Sequence, residues 1–388
     1  MDFRFTAEQE EFRKEVREFL EKELPVLSTP EDSWIISAST EFTRKMGEKG
    51  WIGMTWPKEY SGQGRSYIDR LILTEEMLRY GAPTAAHWFT DRQIGPAILA
   101  HGSEEQKKWF LPRIARGELV FSLGMSEPEA GSDLAAVRTK AIEDDKGFVL
   151  NGQKVWTSGA HIADYIYLVV RTDPEASKHK GISELIVDLK TPGITVRPLI
   201  DITGGSHFNE VFFDNARVPK TALIGQQNRG WYQIISQLDY ERSGIERLMG
   251  NYPLLKDIFD YAKTTKRDGR LLCEEPDVRH KLAQLQVEFE VGRLLIYKVA
   301  WLLSLGLVPN YESALAKVYC TEFEQRLANV ATQVLGLHGQ LMVDSKWARL
   351  GGRVPRAYLY CPGYTIQGGT SEILRNIIAR RGLGLPSG

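Results

Sequence analysis

The period of apolar and polar positions changes twice along the chain. From about residue 6 to 117, apolar residues recur three and four apart. Phe12, Val16, Phe19 and Leu20, with Glu and Lys between them, mark one face of a helix. Thr6, followed by Glu8 and Gln9, predicts the helix start. Residues 56–64 (WPKEYSGQG) break the pattern with Pro and Gly and predict a loop. From about 120 to 218 the period shortens. Runs at 148–150, 165–171, 184–189 and 210–213 are β-rich, and turn signals at Asn151-Gly152, Thr191-Pro192-Gly193 and Gly204-Gly205 separate them. A small antiparallel β-domain is predicted there. After Gly230 the helical period returns, and Leu282, Leu285, Val287, Phe289, Leu294 and Leu295 lie on one long apolar helix. Helices, then strands, then helices is an uncommon order, and it narrows the fold class to α+β.

The length, 388 residues, exceeds what one core supports and predicts two or three packed domains. The changes of period place them at 1–118 (N-terminal helical domain), 119–222 (middle β-domain) and 223–388 (C-terminal helical domain). A chain 43% hydrophobic and 26% charged is of the soluble globular class. With a net charge of -1, no overall field attracts nucleic acid or an anionic membrane, and neither is expected as a partner. The first ten residues carry acids and show neither an apolar signal core nor an Arg/Ser-rich leader; a cytoplasmic location is expected. Cys273, Cys320 and Cys361 have no CxxC spacing and read as thiols of a reducing compartment. His161, His179, His207, His280 and His338 show no ligand spacing, so no metal is expected.

Three segments can hold chemistry. In 125–134 (MSEPEAGSDL), Ser126, Gly131 and Ser132 put small residues and hydroxyls where a backbone can approach a planar or phosphorylated ligand; a plain polar turn is the alternative. In 151–159 (NGQKVWTSG), a turn leads to Trp156, Thr157 and Ser158, an aromatic beside hydroxyls, or else a core tryptophan at a strand end. In 364–375 (YTIQGGTSEILR), a Gly-rich turn runs into a helix beginning near Thr370 or Ser371, whose amides can meet an anion or simply be capped by Thr370. Residues 333–339 (QVLGLHG) predict a helix end with Gly at a capping position.

In this order and spacing, MSEPEAGSD, KVWTSGA and GGTSEILRNIIA resemble the motifs of the acyl-CoA dehydrogenase family over essentially the whole chain. The resemblance implies that family's fold, with a C-terminal four-helix bundle, and non-covalent FAD between the β-domain and that bundle. It implies that Leu123, Met125, Ser126, Gly131 and Ser132 line the flavin and the thioester end of the substrate. By the same match Trp156 and Ser158 contact the isoalloxazine, while Thr370 and Glu372 lie near the pyrophosphate. Gln333 and Gly336, in a QxxGxxG pattern, reach the FAD adenosine half of a neighbouring subunit. Asp239, Arg242, Gly368 and Gly369 fall at substrate-binding positions.

The chain departs from the family pattern at two places. Where many members carry the catalytic base in Tyr-Glu-Gly-Thr, this chain reads Gln367-Gly368-Gly369-Thr370, and Gly368 cannot take a proton. Some relatives supply the base from an earlier helix in a Leu-Glu-Arg context. The corresponding residues here are Leu238-Asp239-Tyr240-Glu241-Arg242, which makes Glu241 the candidate base. A carboxylate in an apolar pocket has its pKa raised towards the operating pH, which suits it to remove the α-proton of a thioester. In 266–272 (KRDGRLL), Arg267 stands where homotetrameric relatives have an Arg-x-x-Phe-Gly element gripping the neighbour's FAD, but the Phe is absent.

The pattern is closest to bacterial steroid and branched-chain members, some of them heterotetramers. It implies an acyl-CoA substrate, an electron-transfer flavoprotein as acceptor, and a homo- or hetero-oligomer. Two other readings stay open. One is a same-fold flavoenzyme of different chemistry (monooxygenase, oxidase or desulfinase). The other is a non-catalytic subunit of a heterotetramer.

Overall fold

A computed structural model describes residues 4–24, 31–241 and 244–386, with 236–241 described in their backbone only. The chain divides into two compact units: one of residues 35–65 and 83–241, the other of 1–34, 66–82 and 242–388.

The first unit is built on an eight-stranded sheet: β1 (Phe121–Gly124), β2 (Lys140–Asp144), β3 (Gly147–Lys154), β4 (Tyr165–Arg171), β5 (Ile182–Asp188), β6 (Ile194–Leu199), β7 (Phe208–Val218) and β8 (Leu223–Ile224). The order is β6-β7-β3-β2-β4-β5-β8, with β1 beside β4. Most pairings are antiparallel, as the short runs predict, while β1 and β2 each join β4 in parallel. Asn151-Gly152 is not a turn. β3 runs straight through it, and its register against β7 slips between Leu150 and Gly152, a bulge. The β2–β3 turn lies earlier, where Asp144 Oδ1 accepts the amides of Lys146 (2.9 Å) and Gly147 (3.1 Å).

Both faces of β4 are covered. Ile166, Leu168 and Val170 pack with Phe148, Leu150, Val187, Val211 and Phe213 on one side. Val169, on the other, packs with Ile182, Val137 and Ile234. Burial on two faces is why residues 165–171 read as a continuous apolar run without alternation. Ile234 belongs to the helix Gly230–Glu241 and seats its first turns on the sheet. Gln233 Nε2 fastens it further by donating to Glu184 Oε2 at 2.6 Å.

The second unit combines the helices Ala7–Glu23 and Tyr67–Arg79 with C-terminal helices, including Pro276–Ser304, Tyr311–Leu335, Arg353–Tyr364 and Ser371–Ile377. Thr6 caps the first of these in a capping box with Gln9, as the sequence predicts. Two adjacent, fully buried acids on Tyr67–Arg79 tie the N- and C-terminal helices together. Glu75 accepts from Arg293 Nε (2.7 Å) and the Tyr297 hydroxyl (2.6 Å), and Glu76 accepts from Arg17 Nε (2.9 Å).

Burial alone would raise the Glu75 pKa, but the Arg293 hydrogen bond and charge outweigh it and hold the carboxyl below its ordinary 4.5. A depressed folded pKa gives stability that is present above the unfolded value and is lost as pH falls through the folded one. Glu75→Gln is therefore expected to unfold about 2–4 kcal/mol more easily at pH 7, because Arg293 and Arg13 lose a buried counter-charge. The gap between variant and wild type should shrink as the pH is lowered below about 4.5. Urea titrations at pH 7 and pH 4 check both; a gap that is constant with pH would contradict the assignment.

Among the described residues no helix is long and apolar enough to cross a membrane. Among them, too, no cluster of His, Cys, Asp and Glu could hold a metal ion.

Candidate active site

In the sheet-containing unit, β1 delivers Leu123 to its end and the chain then turns through 125–133. Glu127 and Ala130 exchange backbone hydrogen bonds of 3.0 and 3.1 Å, closing a tight turn on Pro128. The loop hangs on the end of β3. Val155 N donates to Ser126 O (3.0 Å), and Lys154, 0% exposed, donates from Nζ to Met125 O (2.9 Å) and Glu127 Oε1 (2.8 Å). Glu127 in turn accepts the amides of Arg138 (2.7 Å) and Thr139 (2.9 Å).

Burial pulls the Lys154 ammonium down to about 8, against the opposing pull of Glu127. The Glu127 carboxyl, which burial would raise, is held below its ordinary value by the Lys154 charge. Sequence reasoning missed this pair. Its signal was present, since both residues lie inside the motifs: Glu127 in MSEPEAGSD and Lys154 two places before Trp156.

Trp156 adopts a left-handed backbone (φ 59), unusual for a bulky residue, and leaves its indole 54% exposed. The turn is pinned to β7: Thr157 N donates to Asn209 O (3.0 Å), Asn209 Nδ2 to Thr157 O (3.0 Å), and Gly159 N to His207 O (2.9 Å). Phe208 meets the indole edge-on at 5.5 Å. Thr157 Oγ1 is buried without a hydrogen-bond partner, and Ser158 beside it is half-buried. Gly131 has open space where a Cβ would stand, and Ser132 is exposed. An outward-facing rigid indole next to an orphaned hydroxyl fits a flat heteroaromatic ring with acceptor atoms at its edge. The residues present therefore fit a flavin.

In the other unit, Gly336 ends the helix Tyr311–Leu335 at φ 60 with open space around it. Gln333 lies one turn before, in reach of Asn329 Oδ1 (3.4 Å). Arg267 comes to the same helix end, donating to Val334 O (2.9 Å) and Glu275 Oε2 (3.1 Å), so the structure brings Arg267, Gln333 and Gly336 together. Gly368 (φ 67) and Gly369 (φ 97) form the turn ahead of Ser371–Ile377. Thr370 caps that helix, its Oγ1 accepting Ile373 N (3.2 Å), with Glu372 exposed in the first turn. Two polar atoms flank this turn buried and unpartnered, Gln367 Nε2 and Ser371 Oγ. Glu241 closes the helix Gly230–Glu241. The side chains of Asp239 and Glu241, and all of Arg242, lie outside the described residues.

Three sequence profiles match the chain: the acyl-CoA dehydrogenase N-terminal domain over residues 6–118, the middle domain over 122–216 and the C-terminal domain over 228–383. The acyl-CoA dehydrogenase FadE26 of Mycobacterium tuberculosis is 38% identical over 404 residues, spanning 100% of this chain and 99% of the relative. FadE29 of the same organism is 36% identical over 98% of both. Among solved structures, a steroid ACAD described as Tcur3481-Tcur3483 superposes with a TM-score of 0.91 at 34% identity, covering 100% of both chains. The ChsE4-ChsE5 complex from Mycobacterium tuberculosis gives 0.88 at 37%, again over 100% of both.

Proposed function

The chain belongs to the acyl-CoA dehydrogenase family and is an FAD-dependent oxidoreductase, and from that premise we propose that it oxidises a bulky, branched or ring-bearing acyl-CoA to the trans-2-enoyl-CoA with Glu241 as the base. The observation that carries this is the turn at 364–370. It holds no acid, Gly368 stands at φ 67 where many relatives place their base, and Glu241 ends the helix Gly230–Glu241 in the alternative context.

Glu241 takes the α-proton, and the β-carbon loses a hydride, so the substrate gives up two hydrogens and gains one double bond. FAD, when bound, supplies the two-electron acceptor for that hydride. Trp156, with the Thr157 and Ser158 hydroxyls, would hold the ring system, and Leu123, Met125, Ser126, Gly131 and Ser132 its edge and the thioester. Thr370 and Glu372 would hold the pyrophosphate. Arg267, Gln333 and Gly336 would hold the adenosine half belonging to a neighbouring subunit. Asp239, Arg242, Gly368 and Gly369 line the acyl-CoA.

The bulky acyl group is supported by the missing side chains at Gly368 and Gly369, and by the steroid named for one relative. A second chain type is supported by the two-component ChsE4-ChsE5 relative. The electron acceptor is an electron-transfer flavoprotein, the domains divide at 118/119 and 222/223, and the site of action is the cytoplasm.

The substrate class is tested by the anaerobic reduction rate of the purified yellow protein across a panel of acyl-CoAs. Branched and ring-bearing thioesters should reduce it fastest; a straight-chain thioester in first place would overturn the substrate assignment. Gly368→Ala should sharpen the contrast. A side chain in the left-handed region costs about 1–2 kcal/mol, and kcat/KM for ring-bearing thioesters should fall further than for butyryl-CoA. An equal fall for both would count against Gly368 lining the acyl group.

A further inference from the structure

Lys317 has no role in the reaction as derived so far. It sits mid-helix in Tyr311–Leu335 and is 1% exposed. A buried ammonium is costly unless its protons are bonded. Here Nζ donates to Tyr364 O and to Gly369 O, each at 2.8 Å. These carbonyls are the two ends of the turn that carries Thr365, Ile366, Gln367 and Gly368. Charge-assisted bonds to neutral carbonyls are strong and directional, so one side chain sets the width of the turn.

The rest of the turn leans on weaker devices. Gln367 N donates to Gly363 O (2.9 Å), Ser371 N to Thr365 O (2.9 Å), and Gln325 Nε2 to Thr365 Oγ1 (3.0 Å). Tyr364 is itself fixed, buried with its hydroxyl hydrogen-bonded to Asp32. Gly368 and Gly369 have no side chains to pack, and both take left-handed backbones. Packing alone would be served as well by an apolar side chain in the place of Lys317, without the desolvation cost. What a methionine there could not do is hold both carbonyls.

We infer that Lys317 is a positioning residue for the dehydrogenation: by clasping the Tyr364 and Gly369 carbonyls it fixes the path of the Gln367-Gly368 backbone against the acyl thioester. This rests on the reading that Gly368 and Gly369 line the acyl-CoA. Displacing a substrate-facing backbone by about 1 Å costs on the order of 10²-fold in rate, and the cost falls on turnover more than on ground-state binding.

The test compares full-length, FAD-loaded wild type with Lys317→Met and Lys317→Arg. Lys317→Met should keep its flavin content, lose kcat by about 10²-fold and change KM by less than about threefold. Lys317→Arg, which still reaches carbonyl acceptors, should recover about a tenth or more of the lost rate. A rate loss through diffuse unfolding would instead lower flavin content and would not be recovered by arginine. Should Lys317→Met not fold, Lys317→Gln, which keeps one donor group, takes its place with the same readings. A wild type that turns over beside a variant of equal kcat overturns the inference alone. A wild type that no acyl-CoA reduces overturns the reading of the reaction and the inference with it.

Discussion

Glu241→Gln is expected to stay folded and yellow while its rate of reduction by acyl-CoA falls by about 10³-fold. Glutamine matches the shape of glutamate but has no basic oxygen, so packing and flavin content should survive while the proton acceptor is lost. The α-proton of a thioester is a weak acid, and its removal needs a base placed at the carbon. No second carboxylate can step in from the turn at 364–370, whose residues are Tyr, Thr, Ile, Gln, Gly, Gly and Thr. Stopped-flow absorbance under argon, with both proteins matched for flavin, measures the ratio. A variant within about tenfold of wild type would be too active for the loss of a general base and would show that another residue takes the proton.

The second large effect is expected at Lys154. Lys154→Met leaves Glu127 buried without its counter-charge and Met125 O without its donor. Breaking a buried pair from one side costs about 3–5 kcal/mol. The loss falls at the join between 125–130 and Trp156, so flavin should be lost well before the unit unfolds. Glu127→Gln should be milder, since its amide oxygen can still accept from Lys154 and from one of the amides of Arg138 and Thr139. The double variant should be less unstable than the two losses summed, which is the signature of a coupled pair. Urea midpoints give the coupling, and fluorescence titration of the stripped protein with FAD gives the affinity. Strict additivity would mean that the two residues act separately.

The sequence made the periodic parts of this molecule readable. Thr6, Gly336 and Thr370 were legible as helix ends because caps and left-handed stops are local chemistry. The helix–strand–helix order was legible because periods of 3.6 and 2 differ plainly. Asn151-Gly152 misled because the same residues that close a hairpin also relieve a bulge, and only the facing strand β7 decides between them. The parallel joins of β1 and β2 to β4 depend on residues tens of positions away, which no local pattern encodes. For the same reason the union of Tyr67–Arg79 with Pro276–Ser304 through Glu75 and Arg293 was invisible.

The motifs singled out Trp156, Ser132 and Glu372, and the structure leaves all three exposed. Lys154 and Glu127 lie within the motifs, but their pairing and the bonds of Lys317 were not legible, because a buried charge is recognised only by the partners that surround it. Glu241 is proposed from its neighbours Leu238 and Arg242, a matter of context and not of geometry.

The proposed reaction takes two hydrogens from the α and β carbons of an acyl-CoA. The most direct measurement mixes the purified yellow protein anaerobically with a branched or ring-bearing acyl-CoA, then follows the oxidised-flavin absorption and the mass of the thioester together. Bleaching is expected, with one thioester lighter by about two mass units for each flavin reduced. A flavin-loaded protein that no acyl-CoA in the panel bleaches, each thioester returning at its original mass, would contradict it.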